Sequence, residues 1–372
     1  MIKTLAVFGT RPEAIKMAPL IAELERHPNQ IENRNCFTGQ HKEMVTALIE
    51  LFDIRVDYNL ELMRENQTLE HITTSVLHEI SNILRNEKFD LILVQGDTTT
   101  SMAAAMAAFY CGVKIGHVEA GLRTFNKYHP YPEESNRKII DAMADLFFAH
   151  TDLAKQHLLN EGIADKAIAI TGNTVIDALL DVSNRDYGFE HDSLAALPFD
   201  SKKVILVTAH RRESFGGPFE SLCLGLKELA LKYKDEIVLV YPVHRNPNVR
   251  QVVNSALANI DNVLLVDPLD YMPMVHVMKR CYLVLSDSGG LQEEAPSLGK
   301  PVLVMREVTE RQEGVEAGTV KLIGTDTQNI VNETSKLIDD HTAYEAMANQ
   351  VNPYGDGTTS GQIVRRILEE FE

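Results

Sequence analysis

The chain lacks any apolar run long enough to cross a bilayer. Its longest nearly apolar stretch, Met102 to Val113, falls well short of the ~18 residues a spanning helix needs. That stretch reads as a buried helix, and no membrane partner is expected. Near the start, the apolar residues between Lys3 and Gly9 are too few for the core of a secretory signal. Cysteine is sparse: Cys36, Cys111, Cys223 and Cys281 are scattered, with no Cys-x-x-Cys pair. This excludes a disulfide framework and points to a reducing, cytoplasmic setting. Positive charge is also short, with 36 Lys and Arg against 53 Asp and Glu and a net charge of -17. Phosphate-backbone binding needs a basic face, so no nucleic-acid partner is expected. A small anionic ligand stays open, because a few local cations decide its binding. Both Gly-x-Gly-x-x-Gly and the Walker phosphate loop are missing, and no acidic residue closes the second strand, so no cofactor is expected. His117 and Glu119 share a strand face, but no further His or Cys falls at ligand spacing, so no metal is expected.

What the chain does have is length and rhythm. Its 372 residues exceed what one hydrophobic core usually supports, which predicts two domains. Apolar strands alternate with helical stretches, the pattern of parallel sheets covered by helices. The first half predicts strands at Thr4–Phe8, Asn33–Thr38, Leu91–Gln95, Lys114–Val118 and Leu146–Ala149. The second half restarts with Lys203–Thr208, Ile237–Tyr241, Val263–Val266, Leu283–Ser286 and Val302–Met305. Between them Asp181–Ser201 loses periodicity and collects Asn, Asp, Gly and Pro, the composition of a linker. Near the end, Asn352 to Gly357 is a strong break before an amphipathic helix, Ser360 to Phe371.

Ligands of open parallel sheets bind beyond the carboxyl ends of the strands, so the residues just after each strand are the candidates. After the first come Gly9-Thr10-Arg11-Pro12-Glu13, with Lys16 a turn further on. Asp97 follows Leu91–Gln95, and position alone leaves it open between a reactive acid and a helix N-cap. Glu119 ends the next strand just before a glycine, where burial is costly without a role or a cation partner. Glu133 and Glu134 follow Tyr131-Pro132; one of the pair fits a helix start favoured by the dipole. In the second half, His210-Arg211-Arg212-Glu213 reads either as an anion clamp or as a solvated charge run. Ser288-Gly289-Gly290 lets backbone N–H groups approach a phosphate at a helix N-terminus, and Glu294 lies further along that helix, within reach of a ribose diol. A tight turn without a ligand has the same pattern.

In this order the blocks resemble the non-hydrolysing UDP-N-acetylglucosamine 2-epimerases along essentially the whole chain. They run from Phe8–Pro19 through Gly96–Thr100, Gly116–Thr124, Tyr131–Glu134, Thr171–Thr174, His210–Glu213 and Asp287–Pro296 to Asn352–Gly357. The resemblance implies a glycosyltransferase-B-type α/β fold, with two Rossmann-like domains facing across a cleft and the C-terminal helix crossing back to the first. That places residues 1–175, completed by 358–372, on the sugar side and 176–357 on the UDP side. It implies ligand contacts at Arg11, Lys16, Asp97, Glu119, His210, Ser288, Gly289, Gly290, Glu294 and Arg311. Leu269 and Met274 fall where relatives meet the uracil, and Met274 offers no ring to stack on the base. Asp97, Glu119, Glu133 and His210 are the residues implied in catalysis, with base and acid roles open among the carboxylates. Gln40, His41, Arg211 and His244 resemble parts of a second, activating substrate site, although Glu43 stands where glutamine is expected. Gln312 follows Arg311 where relatives often carry proline. A homodimer acting on UDP-N-acetylglucosamine and UDP-N-acetylmannosamine is implied too.

The implied chemistry is loss of UDP to give a 2-acetamidoglucal, then re-addition, and the product would supply surface polysaccharide. Departing diphosphate wants cations, here Arg11, His210 and Arg311 beside the Ser288 turn. A glycosyltransferase of the same fold, a hydrolysing epimerase and a non-catalytic UDP-sugar sensor are the competing readings.

Overall fold

The computed structural model describes all residues except 40, 41, 63, 65, 66, 212 and 213, and residues 42–44 by backbone alone. Gln40, His41, Arg212, Glu213 and the Glu43 side chain therefore lie outside the described residues. The chain forms two compact units: Met1–Ala178 with Tyr354–Glu372, and Leu179–Pro353.

In the first unit the order is β1 (Ile2–Phe8), α1 (Arg11–Glu25), β2 (Ile31–Phe37), α2 (Lys42–Leu51), β3 (Tyr58–Asn59), α3 (Leu69–Asn86) and β4 (Leu91–Gln95). There follow α4 (Thr99–Cys111), β5 (Lys114–Ala120), α5 (Glu133–Asp141), β6 (Leu146–Ala149), α6 (Asp152–Asn160), β7 (Ile168–Ile170) and α7 (Thr174–Ser183). The strands pair in parallel as β3-β2-β1-β4-β5-β6-β7. Every residue of β4 is buried, as expected for a strand covered on both faces. The apolar run Met102 to Val113 is the body of α4, whose alanines bury against the sheet. Gly112 ends that helix in the left-handed conformation, φ +71°. β3, β7 and, in the second unit, β13 were not foreseen; they are only 2–3 residues long, too short to show a period.

In the second unit come α8 (Asp192–Ala195), β8 (Lys203–Thr208), α9 (Gly217–Lys232), β9 (Ile237–Pro242), α10 (Pro247–Leu257), β10 (Val263–Val266) and α11 (Tyr271–Arg280). They continue with β11 (Leu283–Ser286), α12 (Gly289–Ser297), β12 (Val302–Val304), α13 (Gln312–Glu316), β13 (Val320–Leu322), α14 (Thr327–Asp339) and α15 (His341–Ala348). This sheet, also parallel, has the order β10-β9-β8-β11-β12-β13. Its core gathers Ile205, Val207, Phe219, Leu226, Leu239 and Leu285, each worth roughly 1.5–3 kcal/mol when fully buried.

The expected linker, Asp181–Ser201, is a correction: most of it is folded. α7 carries into it, Leu194 and Leu197 are buried, Phe189 stacks on Phe199, and Tyr187 stacks on His276 within the second unit. The aromatic and leucine residues scattered through the polar stretch supply that packing. The last helix, α16 (Thr359–Phe371), packs on α1 through Ile363, Val364 and Ile367. Asp177 of α7 accepts from Ser360 N at 2.7 Å and so caps the helix from outside. Lys114 reaches Glu370 at 2.7 Å. Tyr354 already belongs to this unit, its carbonyl accepting from Asn173 N at 2.7 Å.

Candidate active site

Each sheet reverses its strand order once, at β1/β4 in the first unit and at β8/β11 in the second. Such switch points leave a crevice at the strand ends. The candidates of the first unit follow β1, β4 and β5, and most of those in the second follow β8, β11 and β12.

Thr10 is the extended N-cap of α1, and Glu13 at N3 closes a capping box. Gly9 cannot be larger, since a Cβ there would stand 2.2 Å from Thr38 Oγ1. Arg11 opens the helix, and a turn on Lys16 Nζ pairs with Glu119 Oε2. Glu119 is the most constrained acid. It sits where the β5–β6 register shifts, with φ +67°, a conformation costly for a residue with a side chain. Such bulges re-aim side chains beside sites. Besides Lys16, its carboxylate accepts from Gln95 Nε2 at 2.8 Å and Asn173 Nδ2 at 3.3 Å. The cation that burial of Glu119 called for is therefore Lys16.

Asp97 is not the N-cap of α4. Thr98 takes that role, accepting from Ser101 N at 3.0 Å, which leaves the Asp97 carboxylate to pair with Arg137 at 2.5 Å. From the same helix Asn136 donates to Asp97 O at 2.8 Å. The neighbouring glutamates also separate. Glu134 is fully buried and structural, accepting from Thr124 N at 2.9 Å and Phe125 N at 3.0 Å while pairing with Arg137. Glu133 is the first residue of α5. His117 is committed as well: Nδ1 meets Asp141 at 2.6 Å and Nε2 the Gly96 carbonyl at 2.7 Å. Burial opposes ionisation of Asp141, but His117 and Arg123 outweigh it and hold the carboxyl below its ordinary value. Among the described residues no group of three or more metal-ligating side chains gathers.

In the second unit Asp287, nearly fully buried, ties two loops together. Its Oδ2 accepts from His210 N at 2.6 Å and Arg211 N at 2.7 Å. The His210 ring stacks on His244 with centroids 5.2 Å apart. Burial, then the neighbouring His210, pushes the His244 pKa down. Ser288 is the N-cap of α12 without a capping side chain, so the first N–H groups face outward from Gly289 and Gly290. A Cβ at Gly289 would lie 3.3 Å from Glu310 Oε1, 3.5 Å from Arg311 Cζ and 3.7 Å from an Arg211 Nη. Two guanidiniums thus stand at this helix end, with a carboxylate between them. Arg311 Nε donates to Glu293 at 2.7 Å, and Arg306 reaches Glu310 at 3.1 Å. Burial raises the Glu310 pKa, but Arg311, Arg306 and Arg211 outweigh it and bring it down to about 2. Glu294 accepts from Tyr271 at 3.0 Å; Tyr271 opens α11, which carries Met274, and Leu269 is buried just before it. Gln312, in place of proline, donates to Thr309 O at 2.6 Å and closes the Arg311 loop.

Sequence reading missed the supporting groups Glu13, Gln95, Arg137, Asn173, Asp287 and Glu310 as parts of the site. A capping-box spacing from Thr10 marks Glu13. Gln95 and Asp287 stand at strand ends, which marks their place but not their partners; Arg137, Asn173 and Glu310 take their roles from contacts distant in sequence or across a loop.

A family model described as UDP-N-acetylglucosamine 2-epimerase matches residues 22–368. The UDP-N-acetylglucosamine 2-epimerase of Escherichia coli K12 is 52% identical over 378 residues, covering 100% of this chain and 98% of that one. The Neisseria meningitidis serogroup A protein of the same name is 48% identical over 373 residues, covering 99% and 100%. Among solved structures, N. meningitidis UDP-GlcNAc 2-epimerase bound to UDP-GlcNAc matches with a TM-score of 0.90 at 48% identity, covering 99% and 100%. The Methanocaldococcus jannaschii enzyme in complex with UDP-GlcNAc and UDP matches with 0.80 at 30% identity, covering 99% and 100%.

Proposed function

The chain belongs to the UDP-N-acetylglucosamine 2-epimerase family, and from that premise we propose that it interconverts UDP-N-acetylglucosamine and UDP-N-acetylmannosamine by elimination and re-addition of UDP. The observation that carries the chemistry is Glu119, a carboxylate held on a strained bulge by Lys16, Gln95 and Asn173. C2 bears a hydrogen and an amide with no adjacent carbonyl, so its proton is acidified only if positive charge develops at C1. The C1–O bond breaks with its electron pair leaving on the β-phosphate of UDP. A carboxylate takes the C2 proton, and the C1–C2 double bond of a 2-acetamidoglucal forms. A proton delivered to the opposite face of C2 and return of the UDP oxygen to C1 complete the inversion.

In this reading the diphosphate lies against the N–H groups of Gly289 and Gly290 and the Ser288 hydroxyl, with Arg311 and His210 stabilising the charge that develops on it. Arg11 and Lys16 add cations from the first unit. Glu294 takes the ribose, and Leu269 and Met274 flank the uracil. Asp97, Glu119 and Glu133 share the proton transfers, a task in which positioned side chains give ~10²–10⁴-fold each. The solved relatives that hold UDP-GlcNAc, or UDP-GlcNAc and UDP, support this assignment of ligand. The proposal extends to a cytoplasmic homodimer supplying a surface polysaccharide. It also includes activation by substrate at a second site through Gln40, His41, Arg211 and His244. Activation predicts that UDP-N-acetylglucosamine accelerates the reverse reaction; hyperbolic kinetics without acceleration would remove that part alone.

Product analysis tests the main reading. Purified protein given UDP-N-acetylglucosamine and no acceptor should yield UDP-N-acetylmannosamine with no free sugar. Release of free N-acetylmannosamine and UDP would indicate hydrolysis instead. Binding without any turnover would favour a transferase or a sensor.

A further inference from the structure

The first helix does two jobs with residues three positions apart on one face: Lys16 serves Glu119, and Glu13 faces the turn that carries Asp97. Glu13 is completely buried, yet the groups that meet its carboxylate among the described residues, Gly9 N, Thr10 N and the Thr98 and Ser101 hydroxyls, are neutral. Oε2 accepts from Gly9 N at 3.0 Å and Thr10 N at 2.7 Å, which fixes the turn after β1. Oε1 accepts from the Thr98 hydroxyl at 2.5 Å and lies 2.8 Å from the Ser101 hydroxyl, whose one proton also faces the Gln95 carbonyl at 2.6 Å; these contacts fix the turn after β4. A helix cap needs only the first pair; the second reaches across 85 and 88 residues of sequence. Asp97 immediately precedes Thr98, and Arg11 immediately follows Thr10. The Asp97 turn is held from its other side by Asn136 and Arg137 of α5.

We infer that Glu13 is a positioning residue for epimerisation, a bridge that locks the Arg11 turn and the Asp97 turn into one rigid edge. The inference rests on the proposed C2 epimerisation. A buried carboxylate that accepts from both turns is costly to rearrange, so its oxygens fix the two together. Misplacing a reacting group by about 1 Å costs ~10²-fold in rate, and that is the loss expected when the bridge is cut.

Three substitutions separate reach from charge. Glu13→Gln keeps the length: its carbonyl oxygen serves Gly9 and Thr10, and its NH₂ donates to the Thr98 and Ser101 hydroxyls once they rotate to accept. Glu13→Asp keeps the charge but is one methylene too short to hold both turns. Glu13→Ala removes everything. The expected order of kcat is wild type, then Gln, then Asp and Ala together, about 10²-fold down, with KM changing far less. Should Asp and Ala fail to fold, Ser101→Ala removes one contact of the bridge and leaves Glu13 in place; a smaller kcat loss is expected, measured well below the variant's own melting temperature so that a lowered stability does not enter it. Asp outperforming Gln would assign Glu13 a charge role and overturn the inference. So would wild-type kcat in folded Ala, or in Ser101→Ala. Wild-type protein assayed alongside keeps the two readings apart, because absent wild-type epimerisation would refute the proposed function itself.

Discussion

The two units share one scaffold and carry opposite chemistry at their strand ends. In the first, carboxylates are the candidate reacting groups, and a cation pairs with each: Lys16 with buried Glu119, Arg137 with half-buried Asp97. In the second, guanidiniums stand at the helix end, and carboxylates stand behind them: Glu293 and Glu310 behind Arg311. The lesson is that a parallel sheet's switch point fixes where groups meet, while the loop residues decide whether the place handles protons or anions. A net charge of -17 is compatible with binding a diphosphate for the same reason, because Arg211, Arg306 and Arg311 gather around Glu310 at one strand-end cluster.

The comparison breaks most visibly at the acids. Asp97→Asn and Glu119→Gln should each lower turnover ~10²–10⁴-fold while UDP binding, measured by calorimetry, stays intact. Lost UDP affinity with retained turnover would reverse the division of labour. Next come paired arginine substitutions, one per unit. Arg311→Met strands the buried Glu293, and Arg123→Met removes the guanidinium from buried Asp141. Both should reduce stability in urea unfolding by on the order of 3 kcal/mol, but only Arg311→Met should also weaken UDP binding. Equal effects on UDP would erase the distinction.

The smallest effect sharpens it. Glu310→Gln removes the carboxylate that shares the guanidiniums with the incoming diphosphate, so UDP affinity should rise several-fold; a fall would make Glu310 a support for ligand binding instead. Stability should move the other way with a defined pH dependence. Glu310 titrates lower in the folded protein, at about 2 against an ordinary 4.5, so its contribution is complete above the ordinary value and is lost as pH falls towards 2. The melting temperature of Glu310→Gln should therefore lie below wild type at pH 7, and the gap should close between about 4.5 and 2.

The alternation of apolar strands and helices made the parallel sheets legible, because strands buried on both faces read as continuous apolar runs. Asp97, Glu119 and Ser288–Gly290 stood out as candidates for a related reason: each lies at or just past the carboxyl end of such a strand. The choice between Asp97 and a cap was not, since it depended on Thr98 bonding Ser101 N. Nor was the sorting of Glu133 from Glu134, which a loop ten residues upstream decides. The segment after Asp181 was misread because polar composition hid Tyr187, Phe189 and Phe199, whose partners are distant in sequence or in a stack with one another.

Solvent exchange at C2 tests the central claim most directly. Wild-type protein incubated with UDP-N-acetylglucosamine in heavy water should place deuterium at C2 of both sugar nucleotides, seen by proton NMR, and Glu119→Gln should slow that exchange ~10²–10⁴-fold. Inversion with the original hydrogen retained, or full exchange by Glu119→Gln, would contradict elimination driven by this carboxylate.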